Sequence, residues 1–188
     1  MNKTSAIATV IAATDREPVI FTTGYACRIA AGLHDRPNHF YMTGSMGLAS
    51  SIAVGVALEA RRRTVVVDGD GALLMNPVGL IAAGSVPGLP LVHVVLDDGC
   101  YASTGGQAVP SHHVDLCAWA RAAGYARTVD TSCPEQFADK LRAALADADA
   151  PVFIRAALTE PDAPVPGRID PELPEHARRF RDHLARLG

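Results

Sequence analysis

Two short stretches carry side chains whose types and spacing suit a metal–diphosphate site. The β-branched run Thr64–Val67 leads directly into Asp68-Gly69-Asp70-Gly71. A carboxylate between glycines at the C-terminal end of a strand stands where open parallel sheets bind ligands. The glycines permit a tight turn and close approach of backbone to phosphate. Ala72 and Leu73 add N–H donors if a helix begins there. Taken alone, Gly-Asp-Gly is equally an ordinary surface turn. A second run, Leu91–Leu96, ends in Asp97-Asp98-Gly99-Cys100-Tyr101, and Asp98 follows Asp70 by 28 positions (98 − 70). That is one crossover of loop, helix and next strand, so two side-chain oxygens can converge with a loop carbonyl beside them. Mg²⁺ takes oxygen ligands, few of them protein carboxylates, and phosphate oxygens of its substrate.

Such a pair needs parallel strands to hold it. Short apolar runs predict strands at Val19–Phe21, His39–Met42, Thr64–Val67, Leu91–Leu96, Ala126–Val129 and Val152–Ala156. Between them, Cys27–Leu33, Gly47–Ala60, Pro77–Ala83, Asp115–Ala123 and Glu135–Ala148 predict helices, the last opened by Pro134. Val65-Val66-Val67 and Val92–Leu96 are almost continuously apolar, as parallel strands covered on both faces must be. The expected class is α/β, a doubly wound parallel sheet with helices on both faces. Residues 1–160 form the expected domain. In 161–188, Pro161, Pro164, Pro166, Pro171 and Pro174 are expected to break regular structure before a charged closing helix, Glu175–Leu187. That helix is either solvated or a subunit-docking element.

Composition removes several function classes. With 17 basic and 20 acidic residues the net charge is −3, which offers no surplus for nucleic acid or an anionic membrane. The longest apolar stretch, Met46–Leu58, is interrupted by Gly and Ser and too short to span a bilayer. Ala6–Ala13 lacks leucine and a cleavage site, and Ile7, Val10 and Ile11 share a helical face; it reads as a first surface helix, not a signal peptide. Cys27, Cys100, Cys117 and Cys133 make no C-x-x-C pair, so free thiols in a cytoplasmic protein are expected.

Gly69-Asp70-Gly71, then 26 residues, then Asp98 resembles the fingerprint of thiamine-diphosphate enzymes, in which Gly-Asp-Gly precedes a metal-binding Asn. The segments Thr22-Thr23-Gly24-Tyr25, Phe40 to Ser51 and Tyr101 to Gln107 are similar to stretches of phosphonopyruvate and sulfopyruvate decarboxylases. The resemblance covers roughly residues 5 to 156. It implies Mg²⁺ held by the side chains of Asp70 and Asp98 and the carbonyl of Cys100. It implies diphosphate contacts from the Gly71 and Ala72 amides, with Thr22 and Thr23 at the same end. The Gly44 carbonyl would meet the aminopyrimidine, and Met46 would wedge the cofactor into a V, a role suited to an unbranched apolar side chain. Ser45, Gly69 and Tyr101 complete the implied cofactor-binding set. An Asp at position 98 departs from the family's Asn and adds a negative charge beside an anionic cofactor.

The chain lacks the Glu that activates the cofactor in this family, which lies on a separate pyrimidine-binding domain. Glu59, beside Arg61-Arg62-Arg63, reads as a solvated helix end. The resemblance therefore implies a diphosphate-binding (beta) subunit working in a hetero-oligomer with a pyrimidine-binding (alpha) subunit. The reaction implied is decarboxylation of a small anionic 2-oxoacid. Ser103, Thr104, Gly105 and Gly106 are candidate substrate contacts, since hydroxyls and amides suit an oxyanion; a plain glycine turn fits equally. Met46, Ser103 and Thr104 are the candidate catalytic residues. At most one of His112 and His113 faces a pocket, and Arg28 is a candidate for the substrate's acid end or a partner. A thiamine-dependent carboligase subunit and a non-catalytic cofactor-binding subunit remain open alternatives.

Overall fold

The computed structural model describes residues 1–147, 150–169 and 173–187. Helix α1 (Lys3–Ala13) precedes β1 (Val19–Phe21), α2 (Tyr25–Leu33), β2 (His39–Tyr41), α3 (Ala49–Ala60) and β3 (Thr64–Gly69). Then come α4 (Asp70–Met75), α5 (Val78–Gly84), β4 (Leu91–Asp97) and a small hairpin of β5 (Cys100–Tyr101) and β6 (Gln107–Ala108). After a 3₁₀ turn at Pro110–His113 follow α6 (Leu116–Ala123), β7 (Arg127–Thr131), α7 (Pro134–Ala146), β8 (Val152–Ala157) and α8 (Leu173–Ala185). Among the described residues, the main sheet is parallel throughout, in the order β2-β1-β3-β4-β8-β7.

Alternation along each strand divides the core in two. Val65, Val67, Val92, Val94 and Ile154 pack against Ile7 and Val10 of α1, Ile29 of α2 and Phe137 of α7. Ile20, Val66, Val95 and Phe153 pack against Ala53 of α3, Leu80 of α5 and Leu116 of α6. The expected doubly wound sheet is therefore the one observed. Helix α1 buries its Ala6, Ile7, Val10 and Ile11 face as the periodicity requires. No helix among the described residues is long and apolar enough to cross a membrane. All four cysteines are free thiols.

Three features depart from the expectations. Helix α4 starts on the residue after β3, where a helix start was left open and no helix stood in the expected element order. Pro174 sits in the first turn of α8, where its missing N–H costs nothing, instead of breaking structure. Helix α8 begins two residues earlier than expected and docks one side on its own fold, with Phe180 buried against Phe40 and Arg179 paired with Asp35, while most of its other residues are exposed. Ala148 and Pro171 lie outside the described residues.

The C-terminal ends of α5 and α6 approach backbone to backbone at Gly84 and Ala123–Gly124. A Cβ on Gly84 would lie 1.9 Å from the Ala123 carbonyl oxygen, and one on Gly124 2.6 Å from that of Gly84. Backbone on both sides leaves no flexible group to yield. Gly84→Ala is therefore expected to destabilise the fold by about 3 kcal/mol, the upper part of the overpacking range. A urea titration checks this; an unchanged midpoint would show that α5 and α6 can separate freely.

Candidate cofactor and metal site

The chain leaves β1 towards β2, then crosses back to β3 on the other side of β1, so the order reverses between β1 and β3. Ligands of open α/β sheets bind outside the C-terminal strand ends at such a reversal. Thr22 follows β1 there, with its N–H donating to the Val67 carbonyl at 2.9 Å. Its hydroxyl is buried without a hydrogen-bond partner. Asp70 opens α4 at the end of β3, so the next amides belong to a first helical turn, which has no intrahelical acceptors.

Asp70 is buried, and its Oδ2 accepts the Gly99 N–H at 3.1 Å. Burial first, and then the neighbouring Asp97 carboxylate, push its pKa up to about 7. Asp97 is already neutralised: its Oδ2 accepts from Arg155 Nε at 2.7 Å, and its Oδ1 from Ser111 Oγ at 2.9 Å. Asp98 leaves the strand end in another direction, its Oδ2 taking Lys3 Nζ at 2.6 Å. Asp70 thus carries an ionisation that its surroundings oppose, and a divalent cation would relieve it. Among the described residues no three His, Cys, Asp or Glu side chains form a ready metal cluster. The donors present are those of a cation shared with a bound phosphate.

The structure brings most of the expected residues around one crevice. Thr22, Thr23, Met46 and Ser103 line it together with Gly69, Asp70, Gly71 and Ala72. Asp98, Cys100 and Tyr101 close its far wall. Met46 is held by a taut loop. Ser45 (φ 56°) and Gly47 (φ 94°) both take left-handed backbone, and Asn76 Nδ2 donates to the Gly47 carbonyl at 2.9 Å. Gly71 lets the Tyr101 ring lie against α4; a Cβ there would be 2.3 Å from Tyr101 Cε1.

Other expected residues stand elsewhere. Gly44 and Ser45 line a separate depression with Leu173 and His176 of α8. The Thr104 hydroxyl turns into its own hairpin, donating to the Tyr101 carbonyl and Gln107 Oε1 at 3.2 and 3.1 Å. His112 and His113 are exposed and lie against each other with their rings tilted by 40°, centroids 3.9 Å apart. Arg28 Nε donates to the Pro166 carbonyl at 2.9 Å and so anchors the tail, beside a cavity that Arg168 also lines. A larger cleft of about 800 Å³ lies between Arg16, Arg61, Arg62 and the Pro87–Pro90 turn, remote from these carboxylates. Sequence reasoning missed Lys3, Ser111 and Arg155. No local pattern signals them, because each meets its aspartate across the fold.

The domain model described as "Thiamine pyrophosphate enzyme, C-terminal TPP binding domain" matches residues 22–156. The chain belongs to the thiamine pyrophosphate enzyme family. Within that family it is similar to sulfopyruvate decarboxylase subunit beta of Methanothermobacter thermautotrophicus, 39% identical over 96% of this chain and 94% of the relative. It is also similar to phosphonopyruvate decarboxylase of Streptomyces viridochromogenes, 42% identical over 87% of this chain but only 41% of that protein. A solved thiamine diphosphate-dependent 4-hydroxybenzoylformate decarboxylase of Rhodococcus jostii shares the fold, with TM-score 0.71 at 18% identity, over 87% of this chain and 33% of that one. Thiamine pyrophosphate enzymes of the longer kind thus extend well beyond the region this chain matches.

Proposed function

We propose that this chain is the diphosphate-binding subunit of a thiamine-diphosphate-dependent 2-oxoacid decarboxylase acting on sulfopyruvate or phosphonopyruvate. The similarity that spans 94% of a sulfopyruvate decarboxylase beta subunit carries this reading. Mg²⁺ and a separate pyrimidine-binding chain complete the enzyme, a cytoplasmic hetero-oligomer; four unpaired cysteines fit a reducing compartment.

When bound, thiamine diphosphate supplies the nucleophile and the electron sink for loss of CO₂ from a 2-oxoacid. Asp70 and Asp98, with the Cys100 carbonyl, would hold Mg²⁺. The free Thr22 hydroxyl and the Gly71 and Ala72 amides would take phosphate oxygens of the cofactor. Met46 would support the cofactor from the crevice wall. Ser103, beside Thr23 and Gly24, offers a hydroxyl to the substrate's anionic end.

The activating Glu comes from the partner in this reading: among the described residues no glutamate lines the crevice, and Glu59 is exposed near the end of α3. Purified alone, with thiamine diphosphate and Mg²⁺, the chain is expected to show no turnover of sulfopyruvate, phosphonopyruvate or pyruvate. Adding an α/β chain that carries the pyrimidine-binding domain should restore decarboxylation of one of the first two. Robust turnover by a strictly homomeric sample would overturn the split-subunit assignment.

A further inference from the structure

Lys3 occupies an improbable position for a lysine. It is the first residue of α1, where the helix dipole disfavours a cation, and its side chain is only 10% exposed. A buried ammonium is costly unless it is paired. Here its Nζ lies 2.6 Å from Asp98 Oδ2 and 3.6 Å from Asp162 Oδ2. The backbone is fixed as well. Asn2 and Ser5 form a capping box around it, and the Lys3 N–H donates to Asp162 Oδ1 at 2.7 Å. The side chain reaches Asp98 across 95 residues of sequence and lines the crevice that holds Asp70 and the free Thr22 hydroxyl.

We propose that Lys3 is a cofactor-site residue whose ammonium neutralises Asp98, so that an aspartate can stand at the metal edge of the crevice without repelling a diphosphate. The inference rests on the reading of this crevice as the thiamine diphosphate and Mg²⁺ site. Asp70, Asp98 and a diphosphate together place more negative charge around one divalent cation than it can balance. Of the charged groups around Lys3, Asp162 does not line the crevice; Lys3 and Asp98, which do, carry no net charge as a pair, as a single asparagine would, yet they leave a carboxylate oxygen for the metal. Asp97, the neighbouring carboxylate, already has Arg155 and makes no demand on Lys3.

The test is a double-mutant cycle on cofactor affinity. Thiamine diphosphate is titrated calorimetrically at fixed Mg²⁺ into the complex with the pyrimidine-binding chain. The samples are wild type, Lys3→Met, Asp98→Asn, the double variant and Lys3→Arg. Lys3→Met is expected to weaken binding about tenfold or more, roughly 1.4 kcal/mol at that factor. In the Asp98→Asn background the same substitution is expected to change affinity by less than about threefold, since Asp162, the other carboxylate beside Lys3, does not line the crevice. Lys3→Arg keeps the charge and should bind as wild type does. A lysine that only anchors the N-terminal helix would change thermal stability but not this coupling. Equal losses in both backgrounds, no loss in either, or equal losses for Met and Arg would overturn the proposal. A wild-type complex that binds no thiamine diphosphate would instead overturn the reading on which it rests.

Discussion

Asp70→Ala is expected to abolish Mg²⁺-dependent binding of thiamine diphosphate while leaving the fold intact. Asp70 is buried at the head of α4, where its Oδ2 accepts the Gly99 N–H. Two forces oppose its ionisation, burial and then the Asp97 carboxylate, and its pKa stands near 7 against an ordinary 3.8. A carboxyl whose folded pKa is raised contributes its full share of stability below the unfolded value and loses it as pH rises through about 7. Removing it therefore relieves the metal-free protein at neutral pH, and the variant should melt no lower than wild type at pH 8. Metal and cofactor require the ionised form, so wild-type affinity at fixed Mg²⁺ should rise from about pH 6 to about pH 8 and level off above the pKa. Calorimetric titration of both proteins, with the partner present, reads the two effects together. Equal affinities would reduce Gly69-Asp70-Gly71 to a turn, and a falling affinity over that pH range would assign the metal to other groups.

Gly71→Ala is the second large effect, and its sign separates packing from helix propensity. In the first turn of α4, alanine should favour the helix by up to about 1 kcal/mol. The added Cβ would lie 2.3 Å from Cε1 and 2.9 Å from Cδ1 of Tyr101, so the ring must swing away. Tyr101 sits on the short strand β5, half-buried at the crevice wall, and can move at modest cost. Stability should thus change by less than about 1 kcal/mol, a few degrees in Tm. Cofactor affinity should fall about tenfold or more, because the wall that faces the diphosphate is displaced. Truncating the ring tests the cause: in a Tyr101→Ala background, Gly71→Ala should have little further effect on affinity. An unchanged affinity in the single variant would show that the β5–β6 hairpin does not bound the site.

Much of the scaffold is legible in local pattern, for a physical reason. Parallel strands covered on both faces must be apolar throughout, so Val65-Val66-Val67 and Val92–Leu96 announce β3 and β4 within a residue or two. Aspartates placed after such runs fall at the C-terminal sheet edge whatever the rest of the chain does, and so the placement of Asp70 and Asp98 there was legible in the sequence. Helix α4 was not legible, because six residues beginning Asp-Gly-Ala carry too little periodicity to oppose a turn. The direction of each carboxylate was beyond sequence too. Asp97 and Asp98 are adjacent, yet one meets Arg155 and Ser111 and the other meets Lys3, since successive side chains at a strand end diverge. The loop Gly44-Ser45-Met46-Gly47 shows the same limit. Its left-handed residues send Met46 into the cofactor crevice and leave Gly44 and Ser45 beside α8. Residue type and spacing determined which strand ends carry the acidic residues and what chemistry those groups favour. Tertiary structure alone decided which charges are balanced there, because every counter-ion comes from an element distant in sequence.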